Sequence, residues 1–135
     1  MLLTLSAVLS PEALAEVREA LDAVDWYDGR RTAGGRARSV KRNQQADLTS
    51  PNGAKLRQAL RDAIEKHPVF RAAAQPRRMS RLMVSRTQAG GGYGLHVDNA
   101  LMGSGSERLR TDLSFTLFLS PPDGYDGGEL TIEAA

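Results

Sequence analysis

His96 and Asp98 stand two positions apart, with Val97 between them. On an extended segment residues i and i+2 point to one face, so an imidazole and a carboxylate come side by side. Such a pair supplies two of the three donors of a 2-His-1-carboxylate facial triad, which holds non-haem Fe(II) with open positions for oxygen and a co-substrate. The imidazole must be neutral to ligate, so binding weakens in mild acid. The run Gly90-Gly91-Gly92-Tyr93-Gly94 just before the pair suits a tight connection feeding a strand. Taken alone, the triplet also fits a hydrogen-bonded His–Asp pair with no metal, and its context decides between the two.

The chain has 135 residues, the size of one domain. With 41% hydrophobic and 25% charged residues it reads as an ordinary globular protein rather than a disordered one. A net charge of +2 is too small to argue for a polyanionic partner. The absence of cysteine excludes disulfides, Cys-ligated zinc, iron–sulfur clusters and a thiol nucleophile. It fits a cytoplasmic location. The apolar start lacks a basic n-region and is followed by Pro11, Glu12 and Glu16, so it reads as an opening strand and not a signal peptide. No apolar run is long enough to span a membrane.

Positioning elements follow from the pattern. Residues 2–9 read as a strand. Ser10-Pro11 reads as an N-cap with Pro at the first helical position, and Leu14, Val17, Leu21 and Val24 follow at helical spacing in a helix ending near Trp26. Trp26-Tyr27-Asp28-Gly29 reads as a turn or the start of an extended segment, with Trp26 and Tyr27 expected to pack. Residues 29–47 are a polar stretch carrying Arg30, Arg31, Arg36, Arg38, Lys41 and Arg42, either a solvated loop or a binding segment. Ser50-Pro51 repeats the cap signal, and Leu56, Leu60 and Ile64, with Ala59 and Ala63, make a second amphipathic helix stopping before Pro68. His67 is read as a helix-capping residue, and a short helical turn is expected over 70–74. From Arg77 the character turns to strands: 78–86, the His96–Asp98 segment, 113–119 with Leu113, Phe115, Leu117 and Leu119 alternating on one buried face, and 129–133. Residues 99–109 read as a polar loop. Helices first and strands second suit an α+β protein with helices against an antiparallel sheet.

After His96-Val97-Asp98-Asn99 come Arg110-Thr111-Asp112-Leu113-Ser114, Thr116-Leu117-Phe118-Leu119-Ser120 and Tyr125-Asp126-Gly127-Gly128-Glu129-Leu130. In this order they resemble the PKHD-type hydroxylases, bacterial relatives of the prolyl 4-hydroxylases in the Fe(II)/2-oxoglutarate dioxygenase superfamily. The resemblance runs from near Met1 to about Ile132. It implies a double-stranded β-helix, or jelly-roll, core with helices packed outside. Residues 1–76 would be an N-terminal helical support region with its opening strand. Residues 77–135 would be the first part of the jelly roll, within one domain incomplete at the C-terminus.

The resemblance further implies Fe(II) and 2-oxoglutarate as cofactors, with L-ascorbate as supporting reductant. Oxidative decarboxylation of 2-oxoglutarate to succinate and carbon dioxide would drive hydroxylation of an unreactive C–H bond. His96 and Asp98 match the family's first two iron ligands. No residue matches the family's later histidine, the third ligand, or the Arg further on that anchors 2-oxoglutarate. That Arg is expected beyond Ala135, since the stop at Ala135 falls in the middle of the expected jelly roll. His67 precedes the pair and does not substitute. The chain therefore reads as the N-terminal portion of a longer protein and, alone, as a poor enzyme. Thr87 stands near where relatives often carry a Tyr by the 2-oxoglutarate site. Tyr93 fits an aromatic position packing against the metal strand, while Ser114 and Thr116 are read as ordinary sheet residues. The family is associated with bacterial iron homeostasis.

The expected substrate is an unidentified protein or small molecule, with no membrane and no nucleic acid as partner, and with room for a homo-oligomer. Two alternatives stand beside this reading. One is a nucleic-acid-directed dioxygenase using the Arg-rich stretches, which include Arg71, Arg77, Arg78, Arg81 and Arg86. The other is a non-catalytic binding fragment with a structural His–Asp pair.

Overall fold

In the computed structural model, which describes residues 1–133, the first helix begins where Ser10 and Pro11 place it. The Ser10 hydroxyl accepts the amide of Ala13 at 3.1 Å, and α1 runs over Pro11–Asp22. It ends four residues before Trp26. Trp26–Asp28 takes the extended one of its two expected forms, as the strand β1. The polar stretch that follows is structured: a 3-10 turn over Gly29–Thr32, α2 over Gly35–Val40, and the short strands β2 (Lys41–Arg42) and β3 (Gln44–Ala46). Ser50 caps α3 (Pro51–Lys66) by accepting the Gly53 amide at 3.1 Å.

His67 is a cap, as its position suggests, and it serves the next helix. Its Nδ1 accepts the Phe70 amide at the start of α4 (Pro68–Ala74), and its Nε2 donates to the Ser6 carbonyl at 2.9 Å. A carbonyl only accepts, so Nε2 carries the proton that Nδ1, as an acceptor, does not. Beyond α4 the strands are β4 (Ser85–Arg86), β5 (Gly92–Tyr93), β6 (Leu101–Met102) and β7 (Leu109–Arg110).

Three small antiparallel sheets result: β1-β3-β4, β2-β5 and β6-β7. The architecture is mixed α+β, as the pattern implies. The first sheet joins strands from both sides of residue 76, pairing Gln44 with Arg86 and Gln45 with Ser85. Val17 from α1, Leu56 and Leu60 from α3, and Ala46, Leu48 and Val84 from the sheet side form the buried core. The apolar spacing of both helices is what turns these residues inward.

Several expected strands do not form. Residues 2–9, 96–98, 113–119 and 129–133 are irregular, and of 78–86 only Ser85–Arg86 is strand. Ladder bonds need a second backbone alongside, and the four irregular segments have no ladder partner among the described residues. The alternation over 113–119 survives in part without a ladder. Leu117 and Leu119 pack against the core and Phe115 sets its ring edge-on against Phe70, with centroids 5.5 Å apart. Leu113, however, is 68% exposed and Phe115 46% exposed, so the expectation of one fully buried face is corrected. Arg18 of α1 holds this segment by donating to the Leu119 carbonyl at 2.8 Å. The expected polar loop over 99–109 is a hairpin, β6 paired with β7. Ala134 and Ala135 lie outside the described residues. The end of the expected jelly-roll portion, 77–135, and the 2-oxoglutarate anchor expected beyond Ala135 therefore fall outside them as well.

Candidate metal centre

The site is built outward from β2. Lys41 pairs with Tyr93 and Arg42 with Gly92, so β2 carries the Gly-rich run across its edge. The Gly94 amide donates to the Val40 carbonyl at 2.8 Å, closing this ladder. Glycine is required at two places by close approach. A Cβ on Gly91 would stand 2.6 Å from the Arg42 carbonyl oxygen, and one on Gly94 would stand 2.8 Å from the Val40 Cβ.

Gly94 in turn holds the imidazole. His96 Nδ1 lies 2.8 Å from the Gly94 carbonyl oxygen. That oxygen only accepts, so Nδ1 donates and, in the neutral ring, Nε2 keeps its lone pair. Nε2 faces Asp98 Oδ1 at 3.3 Å. The two side chains therefore meet, on backbone that belongs to no ladder among the described residues. The expected metal strand is absent, yet its consequence for these two side chains holds.

The Tyr93 ring lies flat on the imidazole, with centroids 3.7 Å apart and planes 11° from parallel. Tyr93 thus packs against the pair as expected. Burial pushes its phenol pKa up, and the nearby Asp98 carboxylate adds to the rise. On the Tyr93 ring, 5.1 Å from its centroid, sits the ammonium of Lys41. Lys41 is only 4% exposed, and its Nζ donates to Thr32 Oγ1 at 3.2 Å. Burial lowers its pKa, with Asp28 pulling weakly the other way. Lys41 stands in a basic stretch that reads as either a solvated loop or a binding segment, and nothing in that stretch points to the Gly94 carbonyl. The register of Lys41 opposite Tyr93 is the signal that finds the first, and it is visible only once the ladder is known.

The donor set fits a metal ion. A lone-pair nitrogen and a carboxylate oxygen face each other with no proton between them in the neutral tautomer, and a cation satisfies both. Cis donors on an octahedral ion with bonds of about 2.1 Å stand about 3 Å apart, close to the spacing seen. The backbone carbonyl on Nδ1 is the outer partner that ligating histidines usually have. Asp98 is two-thirds exposed and His96 one-quarter, so the approach is open. Among the described residues no cluster of three His, Cys, Asp or Glu side chains forms a complete metal site. His67 is engaged with Ser6 and Phe70 and is not brought to the pair. Neither Thr87, Ser114 nor Thr116 hydrogen-bonds to His96 or Asp98.

No family model matches the chain. Individual proteins do. It is 53% identical over 132 residues to a PKHD-type hydroxylase of Hyphomonas neptunium, covering 98% of the chain and 59% of that relative. It is 47% identical over 135 residues to one of Synechococcus elongatus, covering all of the chain and 60% of the relative. A third, from Methylobacillus flagellatus, is 42% identical over 137 residues, covering all of the chain and 78% of the relative. The chain thus spans about 60% of the length of the first two. With identity of this level along its whole length, the chain belongs to the PKHD-type hydroxylase family.

Proposed function

We propose that the chain carries two of the three protein ligands of an Fe(II)- and 2-oxoglutarate-dependent hydroxylase. The observation that carries this reading is the facing of His96 Nε2 and Asp98 Oδ1 at 3.3 Å, with Nδ1 held by the Gly94 carbonyl. Iron(II) with 2-oxoglutarate and oxygen would supply the oxidising power for C–H hydroxylation, with succinate and carbon dioxide as co-products. The chain's own part is geometric. Gly94 fixes the tautomer that leaves Nε2 free, Tyr93 fixes the plane of the ring, and Asp98 brings the negative charge.

The third ligand and the anchor for 2-oxoglutarate would come from the remaining length that the longer relatives possess, completing a jelly roll around the pair. Ascorbate would keep the iron reduced, the location would be cytoplasmic, and the link to iron homeostasis belongs to this same proposal. No helix among the described residues is long and apolar enough to cross a membrane.

The test is succinate release from 2-oxoglutarate, with and without Fe(II), for the 135-residue chain and for a version extended by the remaining length of a relative. Release by the extended version that disappears in His96→Ala supports the reading. Release indifferent to His96→Ala overturns it.

A further inference from the structure

Beside the candidate metal centre lies a cleft of about 420 Å³, walled by β1, β2, β3, β4 and the Gly-rich turn. Its size suits a small molecule. Three arginines line it, Arg30, Arg42 and Arg86, against one carboxylate, Asp28. Asp28 is already matched: Arg30 grips it with its Nε and Nη2, the shortest contact being 2.7 Å. Two cations remain in excess.

Arg86 is held ready. Its guanidinium carbon lies 4.1 Å from the Trp26 ring centroid, and its Nε donates to Gln44 Oε1 at 2.7 Å. Those contacts fix the plane of the group and use only Nε. Both terminal nitrogens stay available as a fork, the geometry that matches a carboxylate or phosphate. Arg42 has no carboxylate partner among the described residues.

The cleft shares part of its wall with a second hollow. Arg42, Gly90 and Gly91 also line a neighbouring hollow of about 370 Å³ whose wall runs on to Tyr93 and Gly94. Tyr93 and Gly94 are the groups that position His96.

We propose that this cleft anchors an anionic oxygen group, a carboxylate or a phosphate, of a small-molecule substrate, with Arg86 as the forked donor and Arg42 as the second cation. Only the word substrate rests on the hydroxylase reading; the anion site stands on the cleft itself. An Arg-lined cleft of this size takes one anionic group and not the track of phosphates that a nucleic acid presents.

The experiment titrates the 135-residue chain, with no metal added, with inorganic phosphate and separately with acetate, following the Gly90 and Gly91 amide resonances. Saturable shifts with either anion are expected, and the anion that saturates identifies the group. Arg86→Gln and Arg42→Gln should each weaken binding about tenfold, the worth of one charge-assisted contact. Arg42 is exposed on its strand, so its variant keeps the fold even if the loss of Arg86 from Trp26 does not. His96→Ala should leave the anion affinity unchanged, which separates this site from the metal reading. Shifts that never saturate, affinities unchanged in Arg42→Gln, or equal weakening in His96→Ala would overturn the assignment. So would a single-stranded oligonucleotide that binds these amides with steep salt dependence while both small anions fail.

Discussion

The aromatic ring of Tyr93 covers one whole face of the His96 imidazole, 3.7 Å away and nearly parallel. His96 belongs to no strand, so this stack and the Gly94 carbonyl are what hold its plane. Removing the stack should cost affinity at the ligating nitrogen. Tyr93→Ala is expected to weaken manganese(II) binding about tenfold, the lower end for loss of a group supporting a metal-bound histidine. Tyr93→Phe keeps the ring and should bind as the parent does. A titration of both variants checks this.

The core and the late segment should respond differently to truncation. Leu60 is 3% exposed at the centre of the buried cluster, and Leu60→Ala should cost about 2–5 kcal/mol. Phe115 is nearly half exposed and touches Phe70 by its edge. Phe115→Ala should cost only about 1 kcal/mol in this chain, in the range of a single aromatic pair. Urea denaturation of the two variants gives both numbers.

Lys41 is a buried ammonium with no carboxylate partner among the described residues. Lys41→Met keeps the side-chain length and removes the charge. The variant should be more stable at neutral pH by about 1 kcal/mol, the low end for replacing buried ions with apolar groups. Burial lowers the folded pKa of Lys41 below 10.5, so the fold gains on the unfolded chain as pH rises between the two values. The advantage of Lys41→Met should therefore shrink as pH rises towards 10.5. Thermal unfolding across that range measures it.

Asp28 behaves in the opposite window. Hydrogen bonds from the Arg30 side chain and amide pull its carboxyl from 3.8 to about 2. A depressed carboxyl stabilises the fold above its unfolded pKa, and that contribution fades as pH falls through the folded one. Asp28→Asn should be less stable than the parent at pH 5, and the gap should close as pH approaches about 2. Acid unfolding curves for the two proteins test the direction.

Local signals were the legible ones. Ser10-Pro11 and Ser50-Pro51 state their helices within four residues, because a cap needs no distant partner. The i, i+2 spacing of His96 and Asp98 likewise needs only extended backbone. Strands were harder, because a ladder is a property of two segments. Trp26–Asp28 pairs with Gln44–Ala46 from a stretch that reads as polar loop. Residues 113–119 alternate as a strand does and yet have no ladder partner among the described residues. Lys41 and Gln45 are buried polar residues, and their polarity alone hides that burial from a reading of composition.

The proposed metal ligands, His96 and Asp98, can be tested with a paramagnetic ion. Manganese(II), a paramagnetic divalent ion that takes carboxylate donors in octahedral sites, broadens NMR signals of the groups that bind it. Titrated into the 135-residue chain, it should broaden His96 and Asp98 first and leave His67 sharp, with the effect lost in both His96→Ala and Asp98→Ala. Broadening centred on His67, or broadening that survives both substitutions, would contradict the account.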